Sequence, residues 1–263
     1  MRYALGIEYD GRGFHGWQAQ RDGQSVQLCL EKALAVVADQ PLRVICAGRT
    51  DAGVHARCQV VHFDSEADRT ERQWVLGLNG NLPATVCVLW VRRVDAEFHA
   101  RFCAFERRYR YTMLNRWIRP ALRAGQVAWC RQPLDAERMH EAAAALLGEH
   151  DFSAFRSAGC KARHAVREIR NICVRRIQDD VVLDIAANGF LYHMVRNIAG
   201  SLMDIGTGEK PVAWLAELLQ AGDRRLAGVT APPEGLCFIA VRYPDSFALP
   251  REVNAFPQHG QDG

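Results

Sequence analysis

Tyr3-Ala4-Leu5-Gly6-Ile7-Glu8-Tyr9 puts its large apolar side chains at every second position, the period of a β-strand with one face on a core. Downstream, Ser25 stands where an N-cap belongs, and Val26, Cys29, Leu30, Ala33, Leu34 and Val37 recur on one helical face. Periodicity then predicts strands over residues 42–47 and 59–64, a helix over 71–78 and a strand over 85–94. The order is β-α-β-β-α-β, the ferredoxin-like unit.

The second half repeats the plan. It predicts a strand over 105–114, a helix capped by Asp135 and ending near Gly148, and strands over 166–177 and 181–187 joined around Asp179. A helix over 191–205, a further one starting at Pro211 and a strand over 236–243 complete it. The chain thus reads as an α+β protein of two tandem ferredoxin-like units with largely antiparallel sheets. Residues 1–100 and 101–245 form the units, the boundary falls near 95–102, and 246–263 is expected to be a loose tail.

Composition limits the function. The chain has 263 residues, 49% hydrophobic and 24% charged, in the range of a globular protein with a sizeable core. No apolar run has the length of a membrane helix, and the N-terminus lacks the apolar stretch and cleavage site of a signal peptide, so a cytosolic protein is expected. The nine cysteines lie at least twelve residues apart, without the close pairs of structural zinc sites, so free thiols and no metal are expected. Net charge is only +3, yet residues 92–131 carry a local +7 and residues 156–176 a local +6, almost all arginine. Guanidinium groups suit phosphate, which points to nucleic acid; a solvated charged face is the alternative.

Four motifs invite chemistry. Gly11-Arg12-Gly13-Phe14-His15-Gly16 spells G-x-G-x-x-G after a strand, but the next helix begins only at Ser25 and no ribose-binding acid follows the second strand. A nicotinamide site needs both, so a glycine loop is the better reading. Gly48-Arg49-Thr50-Asp51-Ala52-Gly53-Val54-His55 packs Arg, Asp and His into one inter-strand loop, though Asp-x-Gly also fits an ordinary turn. Phe105 to Tyr111 interleaves Tyr109 and Tyr111 with Arg108 and Arg110, apt either for base stacking with phosphate binding or for a packed face backed by solvated arginines. In the helix over 191–205, Arg196, His193 and Gly200 fall opposite the apolar stripe. A mid-helix glycine costs about 1 kcal/mol against alanine, so a close approach is expected there and the face is expected to line a cleft.

Taken together, ALGIEYDG with GWQ, CAGRTDAGVHA, QVVHF, NLP, FHARF, RRYRY, PLDAERM, HMVRNI and EGL, in that order, resemble the bacterial tRNA pseudouridine synthase A family from about Tyr3 to Pro244. The resemblance implies two such units in one continuous sheet with a central cleft, and a cytoplasmic homodimer. It implies isomerisation of uridine to pseudouridine in the anticodon stem-loop of tRNA, at tRNA positions 38, 39 and 40, without cofactor or metal. Asp51 matches the catalytic aspartate and Arg196 its arginine partner; Tyr109 matches the tyrosine that stacks on the target uracil, and Arg49 a residue of base flipping. Arg69, the segment Phe98, His99, Ala100, Arg101, Phe102, and the segment Gly159, Cys160, Lys161, Ala162, Arg163 match tRNA-contacting positions, the last agreeing poorly in identity. Arg57 and Cys58 also depart from the family's small residues. A non-catalytic tandem RNA-binding protein shares the element order, but no strand carries the aromatic RNA-recognition motif. An oxidoreductase would require a nicotinamide cofactor.

Overall fold

The computed structural model describes residues 1–19 and 24–250. In chain order the strands and α-helices are β1 (Arg2–Tyr9), α1 (Val26–Ala38), β2 (Ile45–Cys46), β3 (His55–Asp64), α2 (Glu71–Asn81), β4 (Val86–Val94), β5 (Glu106–Asn115), β6 (Ala128–Cys130), α3 (Ala136–Ala143), β7 (Gly148–Asp151), β8 (Val166–Ile177), β9 (Asp180–Ala187), α4 (Met194–Gly206), α5 (Trp214–Ala221) and β10 (Leu236–Arg242). The fold is mixed α+β. Two compact units divide it, Met1–Arg107 with the chain from Phe238 onward, and Arg108–Cys237.

In the first unit the strands lie in the order β4-β1-β3-β10, with β2 on β3. β1 runs antiparallel to both β3 and β4. Its large side chains face the core, where Tyr3, Phe63 and Trp74 have ring centroids 5.2–5.6 Å apart. The opposite face is small for a reason: a β-carbon on Gly6 would stand 2.3 Å from the Trp90 indole, which lies over it. Ser25 caps α1 by accepting from Leu28 N, and Thr70 with Gln73 forms a capping box on α2. Leu30, Leu34, Trp74 and Leu78 are wholly buried, each such burial contributing about 1.5–3 kcal/mol. The helices approach closely at Gly77, where a β-carbon would meet Val37 at 2.9 Å.

In the second unit the order is β5-β9-β8-β7, with β6 parallel on β5. β8 pairs antiparallel with β9 and with β7, and the β8–β9 hairpin turns through Gln178 at φ 52°. Asp135 caps α3 through Glu137 N and Arg138 N. Met139, Ala142, Ile198, Leu202 and Ile205 are buried between α3, α4 and the strands.

Several expected boundaries move. The strand expected over 42–47 narrows to Ile45–Cys46, because Val44 N donates to the Glu31 carboxylate instead of to a strand. The strand expected from 59 starts at His55. The helix expected from 191 begins at Met194, since His193 adopts φ 60°. The helix after Pro211 begins at Trp214, and the helix from Asp135 stops at Ala143, one short turn before Gly148. β10 lies beside β3 in the first unit. After it, Phe247 seats its ring 5.1 Å from Phe98, while 251–263 of the expected tail lies outside the described residues.

Candidate active site

The loop between β2 and β3 is held at nearly every residue. Ala47 N donates to Val60 O. The buried Gln59 side chain takes both backbone groups of Gly48, accepting from its N–H and donating to its carbonyl. Thr50 is buried, its hydroxyl bonded to Tyr9 OH at 2.7 Å and its carbonyl accepting from Trp17 N at 3.0 Å. Asp51 is half-buried, and its carbonyl accepts from Val54 N across a turn that Gly53 completes at φ 79°. The turn and the chemically loaded loop are therefore the same structure. Arg49, between two clamped residues, is exposed.

The glycine loop explains itself against this one. A β-carbon on Gly11 would stand 2.2 Å from Val54 O, and one on Gly16 2.8 Å from Thr50 O. Gly16 also has φ 89°, a region that favours glycine. Gly11 N donates to His55 Nδ1. The first N–H groups of α1 are already taken: Val26 N donates to Gly16 O and Gln27 N to Trp17 O. A pyrophosphate needs such groups, so the dinucleotide reading ends here.

Electrostatics follow burial. Burial pushes the Cys46 thiol up to about 12, with Arg49 tempering the rise. Asp10 is held below the usual carboxylate range: burial opposes this, but hydrogen bonds from the Arg12 side chain and backbone outweigh it.

In the segment expected to touch RNA, Phe98 and Ala100 are wholly buried and only Arg101, Phe102 and part of His99 offer side-chain surface. Phe98 packs on Tyr243. Ala100 is gripped from both sides, donating to His62 Nδ1 at 3.1 Å and accepting from Tyr243 OH at 2.6 Å. His99 stacks on Phe102 at 4.3 Å, with the Arg101 guanidinium 5.5 Å from the same ring. Arg69 is exposed one residue before the α2 cap.

The second unit holds the other matched residues. Tyr109 is buried, edge-on to Phe190 at 5.1 Å, and Tyr111 OH donates to Pro232 O. Arg196 is half-buried on α4; its Nε donates to Ala231 O at 2.8 Å while Ala231 N donates back to Arg196 O. The close approach expected at Gly200 is real, but the visitor is the chain's own backbone. A β-carbon there would meet Val229 O at 1.9 Å, so at this residue the face is covered and lines no cleft. In the segment 159–163, Gly159, Lys161 and Arg163 are exposed, while Arg156 donates to the carbonyls of Cys160 and Ala162. Burial raises the Cys160 thiol, but the backbone of Tyr192 and Ala162 together with Arg156 bring it below its ordinary range.

The arginine clusters serve structure more than their charge suggests. Arg110 forks onto the buried Asp184, which Arg175 also meets. Arg92 pairs with Glu71, Arg123 with Asp180 and Arg170 with Glu168. Arg107 and Arg176 donate to backbone carbonyls. The sequence reading passed over Tyr9, Gln59 and His62, which order the loops from inside; a buried polar side chain carries no periodic signal. Among the described residues no three His, Cys, Asp or Glu groups gather as metal ligands, and no helix is long and apolar enough to cross a membrane.

Comparison with known proteins shows the family. The model of the tRNA pseudouridine synthase family matches residues 6–103 and 142–244. The tRNA pseudouridine synthase A of Xanthomonas oryzae pv. oryzae (strain PXO99A) is 57% identical over 255 residues, covering 96% of this chain and 99% of that protein. The protein of the same name from Xylella fastidiosa (strain M23) is 56% identical over 255 residues, covering 97% and 99%. Among solved structures, a Cbf5-Nop10-Gar1 complex matches with TM-score 0.33 and 9% identity over 89% of this chain and 57% of that one, a likeness too distant to inform fold or function.

Proposed function

The chain belongs to the tRNA pseudouridine synthase family, and from that premise we propose that it converts uridine to pseudouridine in the anticodon stem-loop of tRNA with Asp51 as its catalytic carboxylate. The observation that carries the reading is the Asp51 loop, clamped at Gly48 and Thr50 and closed by the Asp51–Val54 turn. A positioned carboxylate is what this chemistry needs. The isomerisation breaks a C–N glycosidic bond, turns the uracil and forms a C–C bond. It is redox-neutral, so an aspartate acting as nucleophile or base suffices and no cofactor or metal is called for.

The remaining roles follow from residue chemistry. The target base must leave its stack, at a cost of a few kcal/mol. Arg49, exposed beside Asp51, has the reach and charge to hold the vacated space. Tyr109 receives the base on its ring, and Arg196 serves as the catalytic arginine. Arg69, Arg101, Phe102, Lys161 and Arg163 bind the RNA from the surface. Family membership supports a tandem ferredoxin-like plan and a homodimer working in the cytoplasm.

The test is direct. Incubating the protein with unmodified tRNA transcripts and mapping pseudouridine at single-nucleotide resolution should give conversion in the anticodon stem-loop, and Asp51→Asn should give none while still binding tRNA. Binding without conversion by the wild type would instead mark an RNA-binding protein.

A further inference from the structure

We propose that Tyr9 and Thr50 are positioning residues for the reaction, their buried hydroxyl–hydroxyl bond fixing the backbone that presents Asp51. The proposal rests on the reading of Asp51 as the catalytic carboxylate, and deepens it by naming what holds that carboxylate in place.

Three observations converge. Tyr9 OH and Thr50 Oγ1 are 2.7 Å apart and both residues are buried. Removing either hydroxyl takes this bond from a buried site, where a lost hydrogen bond costs more than at a solvated surface. Tyr9 is the last residue of β1, a strand paired on both sides, and its register against β3 shifts between Ile7 and Tyr9. Such an irregularity re-aims a side chain, and here it falls on the tyrosine that reaches Thr50. Finally, both peptide groups flanking Asp51 are pinned: the one before it by Trp17 N on Thr50 O, the one after it by Val54 N on Asp51 O.

With both peptide planes fixed, Asp51 keeps little freedom beyond its own two side-chain torsions. The Tyr9–Thr50 bond holds the side chain of the preceding residue, and the Tyr9 ring lies 6.1 Å from that of Trp17 at a 40° tilt, so the two anchors of Thr50 are neighbours. Because a reacting group must sit close to its productive geometry, a loop released at Thr50 loses rate before it loses RNA.

The experiment compares Tyr9→Phe, Thr50→Val, Thr50→Ser, the Phe/Val double variant and Asp51→Asn, by single-turnover conversion at saturating tRNA, tRNA binding and melting temperature. Tyr9→Phe and Thr50→Val should each slow conversion by about 10- to 100-fold, the scale of a 1 Å misplacement, with tRNA affinity held within about 2-fold. Thr50→Ser keeps the hydroxyl and should stay within about 3-fold of wild type, and the double variant should be no slower than the worse single one, as for two partners in one bond. Wild-type rates in Tyr9→Phe and Thr50→Val beside an inactive Asp51→Asn would sink the positioning proposal alone; an active Asp51→Asn would sink the reading beneath it. If Thr50→Ser is as slow as Thr50→Val, or if rate loss merely follows loss of folded protein, the bond is structural only and the proposal is overturned.

Discussion

The carbonyl oxygen of Val229 comes within 1.9 Å of the place a β-carbon on Gly200 would take, so the α4 backbone and the 229–231 segment touch directly. Two residues further, Ala231 exchanges hydrogen bonds with Arg196, and Gly228 N donates to Ser201 Oγ. Gly200→Ala must displace backbone, an overpacking cost of about 1–3 kcal/mol that the better helix propensity of alanine offsets by roughly 1 kcal/mol. Urea denaturation should show a net loss of stability, and conversion should slow as Arg196 is re-aimed. Gly80, in α2 with nothing near its missing side chain, is the control: Gly80→Ala should stabilise by about 0.5 kcal/mol. A stabilised Gly200→Ala protein would contradict the contact.

His62 gives a pH prediction. Burial first, then the neighbouring His99 and Arg2, lower its pKa to about 4, against the opposing pull of Asp64. Its Nδ1 accepts from Ala100 N, which requires a neutral ring on that side. In the unfolded chain the ring titrates near its ordinary value of about 6.5. The folded state therefore holds its full advantage above that value and loses it as pH falls toward 4, by as much as ~3 kcal/mol. Stability measured from pH 7 to 4 should decline for wild type and decline less for His62→Gln. An NMR midpoint for His62 near 6.5 in the folded protein would contradict this.

How legible this was in sequence depends on what each feature needs. β8, Val166–Ile177, could be read to the residue because apolar alternation and the Asp179 turn are local. β2 could not, since the Glu31 side chain takes the Val44 N–H that the expected strand would have used. β6 and β7 are three and four residues long and exist through their partners, β5 and β8. The partner of β10 is equally invisible to periodicity. At the site, Arg49 and Asp51 stood out by residue type, and Gly200 by its cost. Tyr9 passed as a core residue of β1 because its ring is buried; only its hydroxyl does something more. Phe98 and Ala100 matched a contacting segment whose surface is offered by Arg101, Phe102 and part of His99 instead.

The paired arginines yield a prediction that separates structure from RNA binding. Asp184 is buried between Arg110 and Arg175, and its carboxyl lies below the usual range because those hydrogen bonds and charges outweigh burial. Asp184→Ala removes the buried carboxylate that two guanidinium groups share and should cost about 3–5 kcal/mol. Arg170→Ala, at an exposed pair with Glu168, should cost less than about 1 kcal/mol. Arg101→Ala should leave stability nearly intact and lower the salt dependence of tRNA binding by about one counterion. An unchanged salt slope in Arg101→Ala would remove that residue from the RNA contact.

The final prediction concerns Arg49. It is exposed, yet its neighbours Gly48 and Thr50 are both hydrogen-bonded in place, so its side chain projects from a rigid base beside Asp51. A guanidinium there could anchor phosphate or occupy the gap left by a flipped uridine, and the two roles separate on substrates. A phosphate anchor lowers affinity and leaves the rate at saturation alone, whatever the state of the target base. A residue that holds the stack open acts on the cost of unpairing and unstacking, a few kcal/mol that falls when the base is already unpaired. Arg49→Ala should therefore slow single-turnover conversion of a paired target uridine by about 10- to 100-fold, with each tenfold equal to about 1.4 kcal/mol. Its tRNA affinity should stay within about 3-fold of wild type, as expected if the other exposed arginines proposed for RNA supply most of the phosphate contacts. On a transcript whose target uridine faces a mismatch, the same variant should recover most of its rate. Equal losses on paired and mismatched targets, or a loss confined to affinity, would assign Arg49 to the phosphate backbone.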